Sequence, residues 1–270
     1  MSVYESRAAA EVLLFDKIAK KNNGGNMEWV KRQFIGTRKT QQDSIEVGGT
    51  EKGLLIAVCD GMGSREKAAE SSHYAAQTMV QGYLSLGPED ISEYLSEAAE
   101  QIDSDIYDQF GGDGGTTGVF IHLTGRELRW VSVGDSRLYI YRNNVLTPIT
   151  HDHNYKYVLD NDLDEAANSF SAEKNQIESL VSYLGMGGLY LLDVSAGPLT
   201  LCENDVLLVT SDGLYKAIHD EGIHFVLSKH FAVNGVLCGN VSSAADDLIN
   251  CVKVIDGRKV DNTSFVLIKI

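Results

Sequence analysis

The order of periodicities along these 270 residues predicts an α+β fold, with two antiparallel sheets packed face to face and helices outside. Residues 65–110 carry two successive apolar stripes at helical spacing. From Gly115 the period becomes two-fold through four short runs, and after residue 214 helical spacing returns before a last apolar strand at 265–270. This order is compatible with several ways of layering the elements, so the layering itself is left open by periodicity.

The elements follow in sequence. Residues 2–21 place Val12, Phe15 and Ala19 at helical spacing and stop at Asn22-Asn23-Gly24-Gly25, which predicts an opening helix. Residues 29–35 read as a strand, followed by a loop carrying Arg38 and Asp43, and residues 54–59 form a continuous apolar strand. In 65–84, Ala68, Ala69, Ser72, Ala76, Met79 and Tyr83 share one helical face, closed by Gly87-Pro88. Residues 89–110 repeat the pattern, with Ile91, Leu95, Ala98, Ile102 and Ile106 inward. Acids including Glu93, Glu97, Glu100, Asp103 and Asp108 lie on the other sides, which reads as an acidic solvated face. Strands at 116–123, 127–133, 137–141 and 145–149 have links short enough to predict one antiparallel meander. Residues 151–188 are polar and mixed, a surface insertion with a helix over 172–184. Strands then fall at 189–194, 205–210 and 265–270, with helical stretches between 214 and 254.

Composition narrows the class. Twenty-three basic against 38 acidic residues give a formal charge of -15, which disfavours nucleic acid and anionic membranes as partners. Residues 1–40 run against this trend and carry a net +4, leaving -19 on the rest. Cys59, Cys202, Cys238 and Cys251 show no CxxC spacing and read as reduced thiols of a cytosolic protein. The N-terminus does not resemble a signal peptide and no window has membrane-spanning length, so a soluble, cytoplasmic protein is expected.

The chemistry is concentrated where apolar strands meet acids. Residues 54–59 run into Asp60-Gly61-Met62-Gly63, residues 206–211 into Asp212-Gly213, Asp261-Asn262 precedes the last strand, and Asp43 precedes Ile45-Glu46-Val47. Taken singly, Asp-Gly and Asp-Asn are ordinary turn dipeptides. Four such joins beside apolar strands are costly unless the carboxylates meet a cation. Carboxylate and carbonyl donors suit Mg2+ or Mn2+, with Gly61 the natural carbonyl ligand.

In these residues the chain resembles the metal-dependent Ser/Thr protein phosphatases of the PPM/PP2C type, in their bacterial form. The resemblance spans roughly residues 30–270 and rests on ordered motifs: Arg38 five residues before Asp43, Asp60-Gly61-Met62-Gly63, Gly115-Thr116-Thr117, Gly134-Asp135-Ser136-Arg137, Thr150-His151-Asp152-His153, Ser211-Asp212-Gly213 and Asp261-Asn262. It implies a four-layer α-β-β-α sandwich for a PP2C-like phosphatase domain (26–270), outside which the opening helix reads as an N-terminal helical appendage (1–25). It further implies two Mg2+ or Mn2+ ions. Asp60 would bridge them, the Gly61 carbonyl would ligate one, Asp212 and Asp261 would hold the other, and Asp43 would act through metal-bound water. Arg38 would bind the substrate phosphate. Asp113 is a candidate ligand for a third, weaker ion, against the plainer reading of a turn in Gly111-Gly112-Asp113-Gly114. Asp135 reads as structural, fixing its hairpin through Arg137 or backbone.

The implied reaction is hydrolysis of phosphoserine or phosphothreonine on proteins by a water bridging the two ions, with no protein nucleophile. The implied partners are phosphorylated proteins and a cognate Ser/Thr kinase or its targets. Gln41 replaces the usual Asn, Ser64 replaces a Gly, and Met62 stands where animal members carry a histidine, so His151 and His153 are only weak candidates for a general acid. Two alternatives remain beside this reading: a non-catalytic sensor or binding domain of the same fold, and a hydrolase of a small phosphoester.

Overall fold

The computed structural model describes residues 12–18, 27–63, 65–161, 163, 177–231, 239–255 and 259–270. Two sheets face each other. The first is ordered β1 (Val12–Ile18), β2 (Glu28–Phe34), β12 (Thr263–Lys269), β11 (Val206–Thr210), β7 (Arg137–Arg142) and β8 (Val145–Pro148). The second is ordered β10 (Leu199–Thr200), β6 (Glu127–Val133), β5 (Gly118–Thr124), β4 (Gly53–Asp60) and β3 (Asp43–Thr50), with β9 (Asp193–Val194) also on β6. Among the described residues every strand pairing is antiparallel.

Strand alternation sorts the apolar side chains into layers. Ile56, Val58, Val119, Ile121, Leu207, Val209, Val266 and Ile268 fill the space between the sheets. On the outer face of the second sheet, Leu55, Ala57 and Cys59 pack against Ala75, Ala76 and Met79 of α1 (Ala68–Leu86) and Leu95, Ile102 and Ile106 of α2 (Ile91–Phe110). On the outer face of the first, Tyr139, Leu208, Phe265 and Leu267 pack against α4 (Asp212–Phe231) and α5 (Val241–Lys253). The fold is thus the four-layer α-β-β-α sandwich. Local signals set the helix limits: Gly87 ends α1 with φ +53° and its N–H on the Tyr83 carbonyl, and the Asp90 carboxylate caps α2 through the Ser92 and Glu93 N–H groups.

Five expectations are corrected. The helix over 2–21 is not what the described part shows, since Val12–Ile18 is a strand paired with β2. Its apolar run Val12-Leu13-Leu14-Phe15 suits a strand, and the β2 edge offers it backbone partners. Residues 116–149 form no single meander. β5 and β6 make a hairpin in one sheet and β7 and β8 a hairpin in the other, with Gly134-Asp135-Ser136 carrying the chain across. Gly134 adopts φ +96° there, a conformation that L side chains rarely take.

The helix over 172–184 fails in its described part, as residues 177–184 are irregular and anchored by single contacts such as Val181 N–H to the His153 carbonyl. Residues 155–160 form the short helix α3 (Tyr155–Asp160), and the strand expected over 189–194 shrinks to Asp193–Val194. Lastly, Asp103 does not belong to the solvated face of α2. It is 2% exposed and accepts hydrogen bonds from the N–H groups of Gly185, Met186, Gly187 and Gly188.

Candidate metal-centred active site

Both sheets bring a pair of neighbouring strands to the same edge of the sandwich. β4 ends and β3 begins there in the second sheet, with Asp60 and Asp43 opposite each other in register. In the first sheet β11 ends and β12 begins there, so Asp212 follows one strand and Asp261 precedes the other. Ser211 ties the two sheets, donating to Asp43 Oδ2 at 2.8 Å while its Oγ accepts the Ser264 N–H at 3.0 Å.

Between these ends lies a cleft of about 240 Å3 lined by Arg38, Asp60, Gly61, Asp212 and Asp261, together with Gln42, Met62, Thr117, Asp135, Glu178, Lys216 and Asn262. Five of the predicted site residues therefore share one wall-to-wall space. Asp43 is buried just beneath it, 5% exposed, and Asp113 sits exposed in a 3-10 turn at Gly111–Asp113, outside the cleft's lining.

The backbone around Asp60 is held on several sides. Its N–H donates to Thr117 Oγ1 at 3.0 Å, and its carbonyl accepts from the Thr117 N–H at 2.8 Å and Thr116 Oγ1 at 2.9 Å. Gly61 and Gly213 owe their identity to close approach. A Cβ on Gly61 would lie 2.4 Å from the Ala68 carbonyl oxygen, and one on Gly213 would lie 1.9 Å from that of Asn262. Neither has a positive φ, so glycine is required at both positions by packing and not by a left-handed turn.

Asn262 positions the loop that carries Arg38, accepting from the Gln42 N–H at 2.8 Å and donating to the Ile35 carbonyl at 2.9 Å. Arg38 Nη2 then reaches Asp261 Oδ2 at 2.5 Å. That hydrogen bond is the main reason its guanidinium is held above the usual arginine range.

Negative charge is the cleft's dominant property. Burial pushes the Asp43 carboxyl up to about 7, helped by the field of Asp212, against the hydrogen bonds from Ser264 and Ser211. Burial, with the charges of Asp43, Asp212 and Asp135, raises Asp60 well above the carboxylate range. Asp43 Oδ1 is buried with no hydrogen-bond partner. All-oxygen donors, crowded acids and an orphaned carboxylate oxygen together fit a hard divalent cation.

Among the described residues, no three His, Cys, Asp or Glu side chains stand close enough as placed to chelate an ion. Two of the acids turn their oxygens to protein cations instead, Asp261 to Arg38 and Asp212 to Lys216.

Reading the sequence missed two residues of this cleft. Asp135 does not fix its hairpin through Arg137, which instead forms a two-pronged ion pair with Asp152 at 2.8 and 2.7 Å and lies 3.7 Å over the Tyr215 ring. Asp135 accepts from Lys216 Nζ at 2.9 Å, and Lys216 was not singled out at all. Its place four residues after Asp212, on the same helical face, is the signal that could have found it.

The weak general-acid candidates lie elsewhere. His153 is buried and accepts the Gly134 N–H at Nδ1, and His151 pairs with Asp193 at 3.1 Å. Cys59 is fully buried, and burial pushes its thiol well up, which is the opposite of nucleophile activation.

The chain belongs to the protein phosphatase 2C family, whose family model matches residues 33–236. Membership makes it an enzyme of the serine/threonine protein phosphatase class. The serine/threonine phosphatase stp of Listeria monocytogenes serotype 4b (strain F2365) is 25% identical over 182 residues, covering 64% of this chain and 71% of that protein. Among solved structures, the S. agalactiae serine/threonine phosphatase shares the fold with a TM-score of 0.69 and 22% identity, over 97% of this chain and all of that one. The catalytic domain of the phosphatase PstP, solved with 2 manganese ions, superposes with a TM-score of 0.67 and 24% identity, over 90% of this chain and 97% of that one. Among the described residues no helix is long and apolar enough to cross a membrane.

Proposed function

We propose that this chain hydrolyses phosphoserine and phosphothreonine on proteins with the help of two divalent ions, Mg2+ or Mn2+, held by Asp60, the Gly61 carbonyl, Asp212 and Asp261. The observation that carries this reading is the meeting of Asp60, Asp212 and Asp261 from three strand ends in one cleft, with the fourth strand-end acid, Asp43, beneath it and its Oδ1 unpartnered. Ions bound there would supply an activated water and would screen the phosphoryl oxygens.

The protein's own groups do the rest. Arg38, about half exposed at the cleft's rim, can exchange Asp261 for a phosphate oxygen, a pairing its planar fork suits. Asp43 accepts from Ser211 through Oδ2, which leaves Oδ1 as an acceptor for the water that ions in the cleft would carry. Thr116 and Thr117 keep Asp60 from moving as charge shifts during attack. Asp113, exposed and outside the lining, is left as a ligand for a weaker third ion only if the turn at 111–113 rearranges.

The substrates are phosphorylated proteins, products of a Ser/Thr kinase. The manganese-bound relative and the family match support the reading. Release of phosphate from a phosphothreonine peptide is expected with Mn2+ and is expected to vanish after chelation or in Asp60→Asn, with native melting retained. Equal rates before and after full chelation would overturn it. One observation favours the second reading, a binding domain without turnover: the Lys216 ammonium already bridges Asp135 and Asp212. A protein that binds Mn2+ yet leaves the peptide intact would install that reading instead.

A further inference from the structure

Lys216 stands one turn into α4 and reaches back into the cleft. Its Nζ donates to Asp212 Oδ2 at 2.6 Å and to Asp135 Oδ2 at 2.9 Å. The two carboxylates come from different parts of the fold, Asp212 from the start of α4 and Asp135 from the crossover between β6 and β7. Both line the cleft, as does Lys216, whose side chain is 49% exposed. Asp135 is 7% exposed, so its charge faces the ammonium and has little water to screen it.

The remaining contacts fix the geometry. Tyr215, next to Lys216, donates its hydroxyl to the Asp135 carbonyl at 2.9 Å, and its ring carries the Arg137 guanidinium. The start of α4 is therefore bolted to the crossover whether or not an ion is present. An ammonium between two carboxylates occupies the kind of place a divalent ion at Asp212 requires. Both cannot use Asp212 Oδ2 at once, and their like charges repel.

We propose that Lys216 is a tethered counter-ion of the cleft: it neutralises Asp135 and Asp212 when no divalent ion is bound, and an ion held by Asp212 must displace it. The inference rests on the two-ion reading above. It makes the ion at Asp212 the weaker of the two, and it makes the metal-free protein less dependent on metal for its stability. Lys216 is in this sense a positioning residue, acting on the ligand Asp212.

Calorimetric Mn2+ titration and melting of the full chain test it. Lys216→Met keeps the apolar stem and removes the charge. It is expected to bind the weaker Mn2+ at least tenfold more tightly, and its melting point is expected to fall without metal and to rise further than wild type's on adding Mn2+. Lys216→Arg, which keeps a charge, should stay within threefold of wild type. Lys259, which shares a neighbouring hollow with Asp212 and Asp261 but is not bonded to them, provides the control for simple through-space charge. Lys259→Met should change the affinity less than threefold.

Equal Mn2+ affinity in wild type and Lys216→Met would overturn the proposal while leaving the two-ion reading intact, and so would an equal gain in Lys259→Met. No Mn2+ binding by wild type or by Lys216→Met would overturn the two-ion reading itself. Should Lys216→Met fail to fold, Lys216→Gln is read by the same criteria.

Discussion

Single residues in this protein are chosen for the atoms they must not carry as often as for those they do. Gly213 is the sharpest case, because the space a side chain would need is already filled by the Asn262 carbonyl. Gly213→Ala sets a methyl group against the Asn262 carbonyl just before β12, forcing the start of α4 away from it. It is expected to cost about 3 kcal/mol or more, read as a lower urea midpoint at unchanged slope. Asp60, Gly61, Asp212, Asp261 and Arg38 were legible because each sits in a short motif at a fixed distance from an apolar strand. Asp135 and Lys216 were not, because their pairing exists only once α4 has docked on the β6–β7 crossover.

At the scale of elements, loops are held by acids that a hydrophobicity pattern places in water. Asp103 on α2 takes four backbone N–H groups from residues 185–188, directly after Leu184, which bridges to Thr116 beside the site. Removing this acceptor strands the buried Gly185 N–H and frees three more donors that are only partly buried. Asp103→Ala is expected to lower stability by about 3 kcal/mol and to raise amide hydrogen exchange at 185–188 before the rest of the chain, which exchange measured by mass spectrometry would show. Asp103→Asn, which keeps one acceptor oxygen, should lose less. The helices α1, α2 and α5 were readable from apolar spacing because each lays one stripe on a sheet. The irregular stretch 177–184 was not, since its hydrogen bonds go to distant backbone such as His153 and Thr116.

Across the whole molecule, pH acts through two opposed sets of buried groups. Burial lowers His122 to about 4, its ring held against the Tyr83 hydroxyl at 3.1 Å. Above pH 6.5 both folded and unfolded states carry it neutral. As pH falls below 6.5 the unfolded chain binds a proton that the native state refuses until about 4, so stability falls with pH. Asp43, raised to about 7, works the other way: without metal the native state keeps a proton that the unfolded chain gives up near 3.8, so stability falls as pH rises.

Comparison with His122→Gln isolates the first effect. The stability difference between wild type and this variant is expected to shift by about 2 kcal/mol against wild type between pH 7 and pH 5, measured by urea unfolding. A pH-independent difference would show that the histidine titrates normally in the native state.

The chain's local chemistry, read without coordinates, was enough to establish the strand-to-acid joins, the helix stripes, the excess of negative charge and the family these motifs belong to. Those features depend on residues near one another in sequence, where period and spacing are visible. Which sheet each hairpin joins was decided only in three dimensions, because a three-residue link such as Gly134-Asp135-Ser136 can close a hairpin or cross between sheets, and strand period is two in either case. The same crossover places Asp135 against Lys216, so the cation already present in the cleft is a product of packing that no local pattern announces.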